Sequence, residues 1–97
     1  MIICKVLGQA VSTVKDSRLK GYSMLIVGQI GRSPDEVVGD RFVALDVVGA
    51  GEGEIVGVVQ GAPAQKALPI EGVPIDAAIV SIFDSLTLEG KEIHRKA

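Results

Sequence analysis

The apolar residues of this chain do not recur every three to four positions for the length that a stable helix needs. Its Val, Ile and Leu residues come instead in short runs, and Gly, Pro, Asp and Ser separate these runs. β-branched residues favour strands, and the separating residues favour turns. The sequence therefore predicts a mainly β fold.

The strand and turn patterns predict the following elements. Strands are expected at Ile2 to Thr13, Ser23 to Ile30, Arg41 to Val47, Glu54 to Gln60 and Ile79 to Leu88, with loops at Lys15 to Gly21, Gly31 to Asp40 and Val48 to Gly53. One helical turn is expected at Ala62 to Ala67, with Pro63 at its first position, where the missing amide costs nothing. Five strands with a short helix before the last fit a five-stranded OB-like Greek-key barrel, whose closure removes exposed sheet edges.

The chain has more apolar content than a small core needs. Its 97 residues suit a single domain, residues 1–97, yet 47% of them are hydrophobic and only 3% are aromatic. A domain of this size buries only about 60 to 65% of the surface that its unfolded chain exposes. Met24 to Val27 and Ile55 to Val59 are apolar on both faces, so one face can fill a barrel while the other needs cover. These observations predict a homo-oligomer.

Neither a membrane span nor secretion is indicated by the sequence. The unbroken apolar runs, such as Met24 to Val27 and Ala77 to Val80, are far shorter than the roughly 20 residues that cross a bilayer. The N-terminus lacks the basic start and long apolar core of a signal peptide. Cys4 is the only cysteine, so no internal disulfide can form, and a buried small hydrophobe is the expected role. The sequence predicts a cytosolic protein.

The glycine-rich stretch Asp46 to Glu54 is similar to a dinucleotide-binding loop but lacks its essential parts. Gly49 and Gly51 fit the G-x-G-x-x-G pattern, whereas Glu54 occupies the position of the third glycine. A helix N-terminus should follow to bind the pyrophosphate, but Ile55 to Val59 is typical of a buried strand. Glu52 and Glu54 would also place two negative charges beside an anionic ligand. It is therefore interpreted as a tight turn between two strands.

No set of residues in the sequence predicts catalysis, a cofactor or a metal ion. His94 is the only histidine and lies in the polar segment Lys91 to Lys96, which is interpreted as an exposed tail. The serines lack a nucleophile elbow. Asp76 and Asp84 would be about 25 Å apart along an extended strand, and Asp76 is expected to cap a turn.

Binding of single-stranded nucleic acid, or of another ligand, by an OB-like module is the alternative hypothesis. Such binding requires a basic groove and aromatic side chains on which bases stack, each stack being worth roughly 1 to 3 kcal/mol. The net charge is −2, and the aromatic residues are Tyr22, Phe42 and Phe83. The basic group Lys15, Arg18 and Lys20 also contains Asp16, which is more typical of a solvated loop.

Several short motifs follow one another along almost the whole chain. They are Ser12-Thr13 with Lys15, then Leu19, Gly21 and Leu25, then Asp46 with Val48-Gly49-Ala50-Gly51 and Gly53-Glu54, and finally Pro74 with Asp76-Ala77-Ala78-Ile79-Val80. Together they resemble the pentameric vertex proteins of bacterial microcompartment shells, the EutN/CcmL family. The resemblance implies a β-barrel subunit that assembles as a homopentamer with no enzymatic activity. It also implies a place in the shell, in the bacterial cytoplasm, with hexameric shell proteins as partners.

Two segments are candidate contact sites under this resemblance. The candidate turn or subunit-interface residues are Val48, Gly49, Ala50, Gly51 and Gly53. Glycine is expected there because the backbone turns tightly or approaches a neighbouring chain, so Gly51→Val should weaken assembly. The candidate residues near the five-fold axis are Gly61, Ala62, Pro63, Ala64, Gln65 and Lys66. Many relatives carry Gly-Ser-x-Ala-Arg in this segment, so a ring of charge at the axis would be lost here unless Lys66 supplies it.

Overall fold

The computed structural model describes residues 1–13, 16–67 and 75–96, so the predicted roles of Lys15 and Pro74 lie outside the described residues. The strands are β1 (Ile2–Ala10), β2 (Ser23–Ile30), β3 (Val37–Asp46), β4 (Ile55–Gln60), β5 (Ala77–Ile82), β6 (Ser85–Leu88) and β7 (Lys91–Arg95). In these described ranges one α-helix, α1, covers Ala62–Ala67, and Ser17–Leu19 forms a 3₁₀ turn.

The first five strands form a closed barrel in the order β1-β2-β3-β5-β4. Neighbouring strands are antiparallel except β3 and β5, which run parallel where Leu45 pairs with Ala78 and Asp46 with Ile79. The predicted five-stranded barrel with one short helix before its last strand is confirmed. The first four predicted runs each correspond to one strand of the barrel, because each is a short β-branched segment of ordinary strand length between turn residues.

The barrel interior is filled by small aliphatic side chains that alternate along each strand. The buried residues of this cluster are Cys4, Val6, Leu25, Val27, Ala44, Val56, Val58, Ala77 and Ile79. A barrel of few strands is only wide enough for its own side chains, which explains why Val and Ala dominate and aromatic residues are few. The predicted burial of Cys4 is confirmed, since its side chain is fully buried in this cluster.

A second apolar cluster, here called the outer cluster, lies apart from the barrel interior. Its buried members are Leu19, Leu45, Ala64 and Ala78, and Tyr22, Met24, Val47, Val59, Ile75 and Val80 pack against them. The 3₁₀ turn and α1 supply Leu19 and Ala64. Within the chain, Met24 and Val59 on the second apolar faces of β2 and β4 are partly buried against this cluster. That another subunit covers the rest of these faces stays a prediction.

The C-terminal region differs from the sequence prediction. The single strand expected at Ile79 to Leu88 is wrong, because β5 ends at Ile82 and β6 begins a separate two-stranded sheet with β7. Glu89 and Gly90 have positive φ of 53° and 79°, which suits the two-residue turn that joins antiparallel strands. The segment expected to be a polar tail is thus strand β7. β3 also starts at Val37 and not at Arg41, so part of the predicted loop is strand.

Candidate subunit-contact surfaces

The β3–β4 loop, residues 47–54, is organised at its start by the carboxylate of Asp46. Asp46 is buried, with 8% of its surface exposed, at the end of β3. Its Oδ1 accepts hydrogen bonds from the amides of Val48 at 3.0 Å and Gly49 at 3.1 Å, and its Oδ2 accepts from Ala50 at 2.9 Å. A buried carboxylate needs such donors, and the loop amides need acceptors. Asp46 therefore holds the first half of the loop in one conformation.

Sequence reasoning did not assign this role to Asp46. The signal was present, because an Asp at a strand end followed closely by glycine commonly binds backbone amides ahead of it in a turn. In a phosphate-binding loop, by contrast, carboxylates act only as repulsive charges. In the folded chain the amides of Val48, Gly49 and Ala50 are already bonded to a carboxylate of their own subunit.

The second half of the loop is fastened to β1 and closed by Glu54. The Gly51 amide donates to Oε1 of Glu54 at 2.6 Å, and the Glu54 amide donates to the Gly51 carbonyl at 3.1 Å. The Gly53 amide donates to the Val6 carbonyl at 2.8 Å, and the Val6 amide donates to the Glu54 carbonyl at 2.9 Å. Both halves of the loop are therefore fixed by hydrogen bonds within one subunit.

The three glycines of this loop differ in backbone conformation. Gly49 and Gly53 have φ of +81° and +88°, a conformation that other L-residues rarely adopt. Gly51 does not have a positive φ, and a Cβ placed on it would lie 3.4 Å from Oε1 of Glu54, an ordinary contact distance. Strain within the subunit thus explains Gly49 and Gly53. The predicted sensitivity of Gly51 stays a prediction that concerns a neighbouring chain.

The β3–β4 loop presents a rigid and largely exposed surface. Val48 is 39% exposed although it is apolar, and the three glycines are also exposed. Ala50 instead packs against the barrel cluster. An ordered loop with an exposed valine and little side-chain entropy to lose is suited to contact with another protein surface.

A cation distant in sequence reaches this loop. Nζ of Lys96 lies 2.6 Å from Oε2 of Glu54, so this loop carboxylate has a cationic partner from the C-terminal segment. The hydrogen bond from Lys96, followed by that from the Gly51 amide, lowers the pKa of Glu54. The same ion pair raises the pKa of Lys96.

The segment from Gly61 to Lys66 is anchored to the rest of the chain at Gly61, Ala64 and Gln65. Gly61 has a φ of +68°, and its amide donates to the Asp76 carbonyl at 2.7 Å. Ala64 is completely buried in the outer cluster, and Nε2 of Gln65 donates to the Ile75 carbonyl at 2.6 Å. Ala62, Pro63 and Lys66 are exposed. The location of this segment near a five-fold axis remains a prediction.

The candidate catalytic and metal-binding side chains do not lie together in one site. His94 is half-buried in β7, with Nε2 3.3 Å from the Phe83 carbonyl, and is not part of an exposed tail. Burial raises the pKa of the Cys4 thiol to about 11, which disfavours the reactive thiolate. Within residues 1–13, 16–67 and 75–96, no three His, Cys, Asp or Glu side chains are grouped as metal ligands would be. In the same described ranges no helix has the length and apolar character to span a bilayer.

Comparison with known proteins identifies one group of relatives. The family model described as "Ethanolamine utilisation protein EutN/carboxysome" matches residues 1–84. The chain is 34% identical over 96 residues to a carboxysome shell vertex protein CcmL of Synechococcus elongatus, covering 99% of this chain and 96% of the relative. It is 40% identical over 88 residues to the bacterial microcompartment shell vertex protein GrpN of Rhodospirillum rubrum, covering 89% and 96%.

Solved structures give the same result for the fold. The EutN structure from Escherichia coli superposes with a TM-score of 0.85 at 33% identity, covering 98% of this chain and 97% of that one. The structure of GrpN from Rhodospirillum rubrum, described as a pentameric microcompartment shell protein, superposes with a TM-score of 0.79 at 38% identity, covering 91% and 99%. The similarity therefore extends over the barrel and, for EutN, over nearly the whole chain.

Proposed function

The chain belongs to the EutN/CcmL family, and from this membership we propose that it is a structural protein whose homopentamer closes the five-fold vertices of a bacterial microcompartment shell. The observation that carries the proposal is the match of the whole barrel, in sequence and in structure, to proteins named shell vertex proteins. The protein acts within the shell in the bacterial cytoplasm. It is not an enzyme, and it requires no cofactor.

The function follows from geometry and not from chemistry. Flat hexagonal sheets of hexameric shell proteins cannot close into a polyhedron unless five-fold positions interrupt them. A ring of five identical subunits uses head-to-tail contacts, so each subunit presents two different surfaces that fit each other. The pentamer supplies the five-fold position, and its rim contacts the neighbouring hexamers. Closure around the encapsulated enzymes is the result.

The β3–β4 loop is proposed as one of the two surfaces of the ring contact. Hydrogen bonds from Asp46 and Glu54 fix its conformation before any partner arrives, which reduces the entropy lost on association. Exposed Val48 supplies apolar area, and Gly51 allows close approach of another backbone. On this proposal the glycines at 49 and 53 serve the turn, whereas the glycine at 51 serves the contact.

The segment Gly61 to Lys66 is proposed to lie near the five-fold axis. Its helix is held by buried Ala64 and by the hydrogen bond of Gln65, while Pro63 and Lys66 project from it. Five symmetry-related copies of Lys66 would then form a ring of positive charge near the axis. We also propose that residues 1–97 act as a single vertex domain.

Nucleic-acid binding is not favoured as a second function. Tyr22 packs in the outer cluster and Phe42 against the barrel cluster, so neither stands free as a platform for base stacking. Arg18 is paired with Asp16 at 2.6 Å, which reduces the positive charge of the predicted basic loop. A labelled single-stranded oligonucleotide should therefore show no salt-sensitive change in fluorescence anisotropy on titration with the protein.

Native mass spectrometry over a series of chain concentrations at moderate salt tests the assembly. A pentamer that persists on dilution is the expected result. A hexamer would contradict the proposed vertex geometry, and a monomer or dimer would contradict the shell role of this chain. Co-assembly with a hexameric shell protein from the same organism, observed as closed particles by electron microscopy, tests the proposed partner.

A further inference from the structure

The two carboxylate oxygens of Glu54 bind two different elements. Oε1 accepts the Gly51 amide of the β3–β4 loop at 2.6 Å, and Oε2 lies 2.6 Å from the ammonium group of Lys96, directly after β7. These two interactions are here called the Glu54 bridge. Charge-assisted hydrogen bonds of this kind are shorter and stronger than neutral ones. The bridge therefore joins the candidate contact loop to the C-terminal hairpin, β6–β7.

The base of the hairpin lies beside the same part of β4. The Phe83 amide donates to the carbonyl of Ile55, the residue after Glu54, at 2.8 Å, and the Lys96 amide closes the hairpin by donating to the Asp84 carbonyl at 2.6 Å. Away from its base the hairpin is a separate two-stranded sheet. Its orientation is therefore controlled where it meets Glu54 and Ile55.

An apolar groove of about 290 Å³ separates the rest of the hairpin from the barrel. One wall of the groove is formed by the start of β1 and the end of β2, and the other wall is formed by the hairpin. Its apolar lining residues are Met1, Ile2, Ile3, Ile30, Leu86, Leu88 and Ile93. Two-stranded sheets are marginally stable by themselves. Because the groove leaves the hairpin incompletely packed on its own barrel, contacts at its base have more influence on its position.

We propose that Glu54 and Lys96 are positioning residues that couple the β3–β4 loop to the C-terminal hairpin, so that both are held in the arrangement that a neighbouring copy of this chain meets. The proposal rests on the proposed function, in which the loop forms a subunit contact. It adds the hairpin to that contact. The family model ends at residue 84, so Lys96 lies beyond the part that the model matches, although the similarity to EutN continues over nearly the whole chain.

A positioning role differs from a contribution to folding. Lys96 is half-exposed, and ion pairs between exposed side chains add little to the stability of a fold. Removing the ammonium group should thus leave the barrel folded while freeing the hairpin and loosening the Gly51 turn. The effect should appear in assembly and in the local opening of the loop, and not in the secondary structure of the subunit.

The first test compares Lys96→Met with Lys96→Arg, and uses Lys91→Met on the same hairpin as the matched control. Native mass spectrometry on a dilution series should show that Lys96→Met dissociates at a concentration about fivefold higher than the unaltered pentamer, the size of a weak coupling between sites. Lys96→Arg and Lys91→Met should behave like the unaltered chain. Equal dissociation of Lys96→Met and the unaltered pentamer would overturn the proposal.

A second measurement keeps the proposal testable without an assembly. Hydrogen exchange at the Gly51 amide, followed by NMR, should be faster in Lys96→Met than in the unaltered chain and unchanged in Lys91→Met. If the unaltered chain were not a pentamer, the proposed function would fail, while this exchange rate would still decide whether the Glu54 bridge couples the two elements. Unchanged exchange at Gly51 in Lys96→Met would refute the coupling.

Discussion

At the scale of single residues, Asp46 is the side chain on which the β3–β4 loop depends most. Asp46→Ala removes the acceptor for three loop amides, and these amides cannot all find water without the loop opening. We expect a loss of about 1 to 3 kcal/mol in the free energy of unfolding, the cost of leaving part-buried donors without their acceptor. Urea unfolding, followed by circular dichroism at one fixed chain concentration, measures this loss.

Asp40→Ala provides the matched control for Asp46→Ala. Asp40 lies on the same strand but is exposed, so its removal should change the free energy of unfolding by less than about 0.5 kcal/mol. Asp46→Asn should lie between the two, because its amide oxygen can still accept from part of the loop. Equal stability of the Asp46 and Asp40 variants would show that the three hydrogen bonds do not determine the loop conformation.

Cys4 should be inert while the chain is folded. Burial raises its pKa to about 11, so at pH 8 on the order of one molecule in a thousand carries the thiolate even before access is considered. A thiol-specific reagent such as a maleimide should label the urea-unfolded chain within minutes and leave the folded chain unlabelled. Rapid labelling of the folded chain would mean that the barrel opens at β1.

The same burial predicts a dependence of stability on pH. The pKa of Cys4 is raised above its ordinary value of 9.0, so the folded state binds the thiol proton more tightly than the unfolded state. The contribution of the protonated Cys4 thiol to the free energy of unfolding is fully present below about pH 9 and is lost as the pH rises from there through about 11. Urea unfolding at pH 8 and pH 10 should show a larger loss of stability in the unaltered chain than in Cys4→Ala.

At the scale of elements, the glycines of the β3–β4 loop separate the cost of the turn from the cost of the contact. Gly49→Ala forces a Cβ into a left-handed conformation and should cost about 1 to 2 kcal/mol in unfolding. Gly51→Ala places its Cβ at an ordinary contact distance and should leave the free energy of unfolding nearly unchanged. Gly51→Val should nevertheless lower the stability of the pentamer to dilution in native mass spectrometry. Full assembly of Gly51→Val would remove this loop from the subunit contact.

The barrel strands could be predicted from the sequence because each is a short β-branched run between turn residues. The hairpin was missed because Leu86 and Leu88 extend the apolar pattern of β5, and the Glu89-Gly90 turn is a weaker signal than Asn-Gly. The early start of β3 was missed because Gly39 and Asp40 are more typical of a loop. Gly39 has a φ of +71° within that strand, where β2 and β3 also change register.

The outer cluster could not be predicted from strand patterns. Apolar residues on the outward face of β2 and β4 indicate that something covers them, but the pattern is the same whether the cover is a subunit or the chain itself. Here Leu19 and Ala64 provide part of that cover from a 3₁₀ turn and a six-residue helix. The contact between Glu54 and Lys96 was equally hidden, because it joins residues at distant positions in the sequence.

At the scale of the whole molecule, the barrel is closed on itself, whereas the hairpin is a separate sheet attached to it. The five barrel strands close on one another and are complete by Ile82, and the family match ends at residue 84. The hairpin forms its own sheet, attached at its base by the Phe83 amide and by the Glu54 bridge. A chain that ends at Asp84 therefore retains every strand of the barrel core and loses the element that Glu54 positions.

Such a truncated chain should fold but assemble poorly. Its far-ultraviolet circular dichroism should remain that of a β protein with cooperative unfolding. Its free energy of unfolding should be lower, because Ile3 and Ile30 lose the groove wall that Leu86 and Leu88 form. Native mass spectrometry should show dissociation at a concentration at least as high as that for Lys96→Met, since the truncation also removes Lys96. A truncated chain that fails to fold would show that the hairpin belongs to the folding unit. One that forms the pentamer as tightly as the full chain would exclude the hairpin from the subunit contact and leave the contact to the barrel and its β3–β4 loop.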